Sequence, residues 1–108
     1  MIAGTAFIAG DLSKPDFDAK TYDTEIAKFA KNENQSLAVF NVIETGEPQY
    51  LIKELNNGIV LWKENKEIVS RLNSIENLPT ELLEQNKKLL KYCDLRIQLN
   101  DIFVKAIS

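Results

Sequence analysis

PTELLEQNKKLLKYCDLRIQLNDIFVKAI, residues 79–107, decides how this chain folds. Leu83, Leu90, Ile97 and Val104 recur at seven-residue spacing, and Asn86, Cys93, Asn100 and Ile107 follow each of them by three. Leu82, Leu89 and Phe103 flank the stripe. Seven residues make almost two α-helical turns, so these positions share one face of a long helix. A face that apolar needs partner helices to cover it. The signal is architectural; no part of it carries a reaction.

The partners are found by reading backwards. Asn77, Leu78, Pro79 and Thr80 form a helix–helix turn, in which Asn77 or Thr80 can cap the last helix and Glu81 and Glu84 occupy its acidic first turn. Before it, residues 48–75 read as a second helix. Leu55, Trp62 and Val69 share one heptad position, Leu51, Gly58, Asn65 and Leu72 the other, and Leu61, Ile68 and Ile75 widen the face. Asn57-Gly58 is a turn signal, and residues 59–62 could form a strand. No second alternating run lies nearby to pair with it, so helix is the reading, with a kink or break possible at Gly58. Gly58 would otherwise mark a close approach of two backbones. Residues 19–44 read as a first helix, on Tyr22, Ile26, Phe29, Leu37, Phe40 and Ile43. Its middle, residues 32–36, is polar and of weak propensity, a solvated turn of one helix or a break near Asn34. Gly46 and Pro48 suit the end of that helix and the first turn of the next. Glu84 with Lys88, Asp101 with Lys105 and Glu67 with Arg71 stand in the favourable i,i+4 order. Short loops force antiparallel neighbours. The predicted fold is all-α: an antiparallel three-helix bundle over residues 19–108, its longer helices ~40 Å.

Composition agrees and narrows function. The 108 residues suffice for one domain, with 44% hydrophobic and 27% charged side chains. Four glycines and three prolines are too few for an all-β chain of many turns. Net charge is −3 with both signs interleaved, which points away from nucleic acid and from polybasic binding to anionic lipid. There is no histidine, so Ser-His and Cys-His catalysis and His-containing zinc sites are excluded within the chain. Cys93 is the only cysteine and makes no intramolecular disulfide.

Residues 2–10, IAGTAFIAG, are apolar and small, and a polar linker follows. Nine residues span only ~14 Å as helix against roughly 30 Å of hydrocarbon, too short to cross a membrane. Two readings stand. The segment is the exit end of a transmembrane helix, making residues 1–18 a stub and linker, or it packs on the bundle.

The candidate sites are few. Asn86, Cys93 and Asn100 lie in the seam of the last helix with Arg96 at its edge. They fix register and oligomeric state there, or bond one another, water and helix ends at a semi-exposed seam. Cys93 has no base beside it. Glu64, Glu67, Glu81, Glu84, Asp94 and Asp101 show no spacing that singles out a catalytic pair and read as a solvated face. Trp62 reads as core, since it shares a heptad position with Leu55 and Val69. No catalytic or metal-ligating residue and no cofactor is expected.

Two stretches carry a family resemblance. Residues 58–65, GIVLWKEN, and residues 91–97, KYCDLRI, followed by Lys105, Ala106 and Ile107, resemble the soluble tail of some bacterial rhomboid-family membrane proteins. The resemblance covers roughly residues 37–108. It implies a soluble segment after a last transmembrane helix, whose end residues 2–10 would be. The family's activity is intramembrane proteolysis by a Ser-His pair with the serine in a Gly-x-Ser context. This chain has neither histidine nor Gly-x-Ser, so no catalytic residue carries over.

The expected function is therefore a non-catalytic interaction or regulatory module of a membrane protein. Its partner would be another protein or the membrane portion of its own parent, which in the rhomboid case is an intramembrane serine protease. It would be membrane-associated only through a tether N-terminal to residue 11, on an undetermined side. The alternatives are a free-standing helical binding protein, with a ligand between its helices near Trp62, Asn65 and Asn100, and a fragment of an enzyme whose catalytic groups lie elsewhere.

Overall fold

Asp18 opens the first helix. Its carboxylate accepts from the Thr21 backbone N–H at 3.0 Å and from the Thr21 hydroxyl at 2.6 Å, which satisfies a first-turn donor. The same bonds hold its carboxyl below the usual range. The computed structural model describes residues 17–108. In it α1 spans Ala19–Leu37, a 3-10 segment Ala38–Val42, α2 Pro48–Asn73 and α3 Thr80–Ile107. Among the described residues there is no strand. Residues 2–10 lie outside the described residues.

The two suspected breaks are absent. Helix α1 runs through residues 32–36 and only tightens into 3-10 geometry at Ala38. The polar stretch is a turn of one helix solvated on one side only: Asn34 and Gln35 are exposed, while Asn32 and Ser36 face inward, 9% and 3% exposed. Helix α2 is continuous through Gly58. The connection from α1 to α2 closes with the Gly46 N–H donating to the Val42 carbonyl at 2.8 Å. Pro48 takes the first helical position of α2, where its missing N–H costs nothing. Glu47 before it is extended, as a residue preceding proline must be. Between α2 and α3, Asn77 adopts φ 62°, a left-handed conformation that asparagine tolerates. Neither Asn77 nor Thr80 is the N-cap of α3. That position falls to Pro79, with Thr80 already helical.

The helices are antiparallel, and partner residues descend along one element as they ascend along the next. From α1 to α2, Glu25 meets Arg71, Asn32 meets Asn65, and Ser36 meets Gly58. From α2 to α3, Leu55 meets Asn100, Lys66 meets Asp94, and Asn73 meets Asn86. Helix α2 is central and both neighbours pack against it. Helix α1 and the 3-10 segment after it reach α3 through long side chains: Tyr22 to Asn86 and Glu33 to Tyr92 from α1, and Phe40 to Phe103 from the 3-10 segment.

The body measures 51 × 18 × 16 Å, so it is about two helix diameters across. Its core is a narrow column. One part holds Tyr22, Ile26, Phe29, Trp62, Ile68, Val69, Leu72, Leu82 and Cys93; the other, at the far end, holds Val39, Leu51 and Leu55. The stripe on α3 is rotated from the sequence reading. Leu83 is 37% exposed, and Leu90, Ile97 and Val104 are only half-buried. The deepest row is Leu82, Asn86, Cys93 and Asn100. With α2 as the main partner, the row facing it goes deepest, although Asn86 and Asn100 make that row polar.

Candidate functional site

Three places on the bundle could serve a function: the polar positions in the core, a groove beside Gly58, and the outer face of α3.

The core positions come first, because the sequence singled them out. Asn86, Cys93 and Asn100 all have zero exposure, so the seam is sealed rather than semi-exposed. Their spacing holds each at a different height of the bundle, and the two asparagines find different partners. Asn86 receives the Tyr22 hydroxyl at 3.4 Å and donates its amide to Asn73 Oδ1 at 2.8 Å, tying the three helices together. Asn100 donates to the Leu55 carbonyl at 3.1 Å. Its amide nitrogen sits where a side chain on Gly58 would begin: a Cβ there would lie 2.6 Å from Asn100 Nδ2. The close approach at Gly58 is thus a side-chain amide against a backbone. Between these layers, and unforeseen from sequence, Asn32 donates to Asn65 Oδ1 at 3.0 Å, and Asn65 donates to the Phe29 carbonyl at 3.4 Å.

Trp62 is fully buried, with Phe29 edge-on at 6.0 Å and Tyr92 edge-on at 5.0 Å between ring centroids. Trp62, Asn65 and Asn100, the residues near which the alternative reading sets a ligand, are each fully buried. Trp62 Nε1 and Asn100 Oδ1 find no hydrogen-bond partner among the described residues.

Burial governs the acid–base behaviour of this core. The Cys93 thiol is pushed up to about 12 by desolvation first and by nearby Asp94 second. Tyr22 is raised to about 12, by burial and then by Asp23. Tyr92 is raised to about 12, by burial and by its 2.7 Å hydrogen bond to Glu33. All three keep their protons through the neutral range.

The carboxylates are dispersed. Glu64, Glu67, Glu81, Glu84 and Asp94 are exposed and Asp101 half-exposed. Asp94 pairs with Lys66 at 2.6 Å and Asp101 with Lys105 at 3.0 Å. Glu84 pairs with Lys87 rather than Lys88, at 3.3 Å, and Arg71 reaches across to Glu25 at 2.9 Å rather than to Glu67. Among the described residues no group of three or more cysteines and carboxylates could hold a metal ion.

The groove lies between α1 and α2. It encloses about 470 Å³ and is lined by residues such as Gln35, Ser36, Glu54, Asn57, Gly58 and Leu61. It is open to solvent.

The outer face of α3 went unread in the sequence. Leu95, Leu99, Ile102 and Ala106 follow one another by four, three and four residues, so they form a second row about 150° round the helix from Cys93. Leu95 is 57% and Ile102 62% exposed and Ala106 is exposed, while Leu99 between them is half-buried. The signal was available in that spacing, but the stronger heptad on the opposite face masked it.

Comparison with family models, curated proteins and solved structures finds no match to this chain. The rhomboid resemblance therefore rests on the residues quoted for it.

Proposed function

We propose that this chain is a non-catalytic interaction module, joined to a membrane protein through the chain N-terminal to residue 11. The observation that carries the reading is the second apolar row of α3. The core is closed without it, yet Leu95, Leu99, Ile102 and Ala106 form a continuous helical stripe at the surface. Single exposed apolar residues are ordinary; a row at interface spacing marks a contact surface. The tether is supported by the apolar residues 2–10 and by the rhomboid-tail resemblance, under which the parent would be an intramembrane serine protease and this chain its accessory. Among the described residues no helix is long and apolar enough to cross a membrane, so the tether would have to come from outside them.

Fractionation of the native gene product tests the tether. Retention in carbonate-washed membranes, with residues 17–108 released by mild proteolysis, is the expected result. Recovery in the soluble fraction at natural length would overturn it. That outcome would favour a second reading, a free-standing small binding protein, for which the groove beside Gly58 is the supporting observation.

A further inference from the structure

We infer that the outer face of α3, residues 88–106, docks an acidic amphipathic helix of a partner protein. The inference rests on the interaction-module reading and gives its partner a chemistry. The occupant is helical because the row runs i, i+4, i+7, i+11, the spacing along which a second helix lays its own apolar stripe. Ala106 at the end of the row leaves room for close approach. The occupant is acidic because of the charges bordering the row. Lys88 and Lys91 precede Leu95 on the same face, and Arg96 flanks Leu99. None of these three cations is in an ion pair among the described residues. Arg96 lies over the Phe40 ring at 5.0 Å, so its guanidinium is engaged on the side of α3 that meets the 3-10 segment. The nearby aspartates are already engaged, Asp94 by Lys66 and Asp101 by Lys105. In a protein of net charge −3, the charge at the start of the exposed row, on Lys88 and Lys91, is thus positive and outside any ion pair among the described residues.

Two other occupants fit less well. An anionic bilayer would meet Glu81 and Glu84 one to two turns beyond Lys88, along with the chain's overall negative charge. A second copy of α3 packed parallel would bring Lys88 and Lys91 against the same lysines of its twin, and one packed antiparallel about the middle of the row would set Arg96 opposite Lys105.

The test uses the whole chain, isotope-labelled, and two synthetic helical peptides. Both carry leucine at i, i+4, i+7 and i+11; one is flanked by glutamate, the other by lysine. The expected result is that the glutamate peptide shifts amide resonances of residues 88–106, while the lysine peptide binds at least tenfold more weakly. The double variant Leu95→Ser with Ile102→Ser should lose the binding while keeping its melting temperature. Lys88→Glu with Lys91→Glu should reverse the peptide preference. Equal binding of both peptides, shifts confined to the groove at Gln35 and Asn57, or no shifts at all would overturn the inference. So would protection of residues 88–106 by phosphatidylglycerol vesicles, or a dimer in sedimentation that the Leu95→Ser and Ile102→Ser pair dissolves. Failure here leaves the membrane fractionation result intact, and failure of the tether leaves the peptide result intact, so the two readings fall separately.

Discussion

Gly58 and Asn100 make a pair that neither helix explains alone. Glycine inside a helix costs about 1 kcal/mol relative to alanine, so Gly58→Ala should stabilise α2 by that amount if nothing else changed. The added Cβ would meet Asn100 Nδ2 at 2.6 Å, and Asn100 is fully buried and bonded to Leu55. Gly58→Ala should therefore destabilise the protein by about 1–3 kcal/mol through overpacking. In an Asn100→Ala background the same change should be neutral or stabilising. Urea denaturation of the four members of the cycle measures this, and additive effects would refute the contact. Cys93 offers a second residue-level test. With zero exposure and a raised pKa, its thiol should resist an aromatic disulfide reagent in the native protein and react at once in denaturant. Cys93→Ser should cost about 1 kcal/mol or more, since the new hydroxyl is buried and needs a partner. Fast stoichiometric labelling of native protein would place Cys93 at the surface.

At the scale of elements, α3 is a helix with two apolar faces and only one buried. The buried face packs on α2, and its centre is interrupted by asparagines; the outer face is the row from Leu95 to Ala106. Their energetic weights differ. Leu82→Ala should cost about 2–5 kcal/mol, because Leu82 is 1% exposed and its removal leaves a cavity. Leu95→Ser with Ile102→Ser should stay within about 0.5 kcal/mol per site of wild type, the usual range for surface changes. Thermal melts of both variants decide it. A large loss from the outer pair would mean that the row is structural rather than a contact surface. Helix α1 shows the complementary case. Residues 32–36 have weak helix propensity, yet the helix continues, because Asn32 bonds Asn65 and Ser36 packs beside Gly58.

The described body, residues 17–108, is a rod. Its Cα radius of gyration is 16.1 Å, against about 13 Å for a compact domain of roughly 100 residues. A rod this thin has one column of core, and three acidic groups stand in or against that column with raised pKa values. Each is held neutral by folding and ionises more readily once unfolded, Cys93 from an ordinary value of 9.0 and the tyrosines from 10.0. Their stabilising effect is complete below pH 9 and is lost as pH rises from about 9 towards 12. The melting temperature should therefore fall progressively over that window. Cys93→Ala should flatten the first part, near pH 9–10, while the tyrosine-dependent fall above pH 10 remains. A wild-type profile flat to pH 11 would contradict the burial of all three.

The fold was legible in the sequence because helices announce themselves locally. Apolar period, turn residues and loop length are properties of short stretches, and they placed α1, α2 and α3 in antiparallel order with ends correct to within a few residues; the last residues assigned to the first helix form a 3-10 segment and a turn. Trp62 was placed in the core by the same periodicity, Cys93 only in the seam of the last helix, and the six carboxylates on the solvated surface by the absence of a pattern. What the period leaves open is rotation. A wide apolar stripe does not say which of its rows goes deepest, and only the docking of α3 on α2 buried Asn86, Cys93 and Asn100 while leaving Leu83 at the edge. Which asparagines meet is likewise a matter of register between helices: Asn32 and Asn65 are 33 residues apart, and nothing local to either predicts the other. The outer row of α3 became a surface feature only when the bundle closed without covering it, since exposure belongs to the assembled structure and not to the residue.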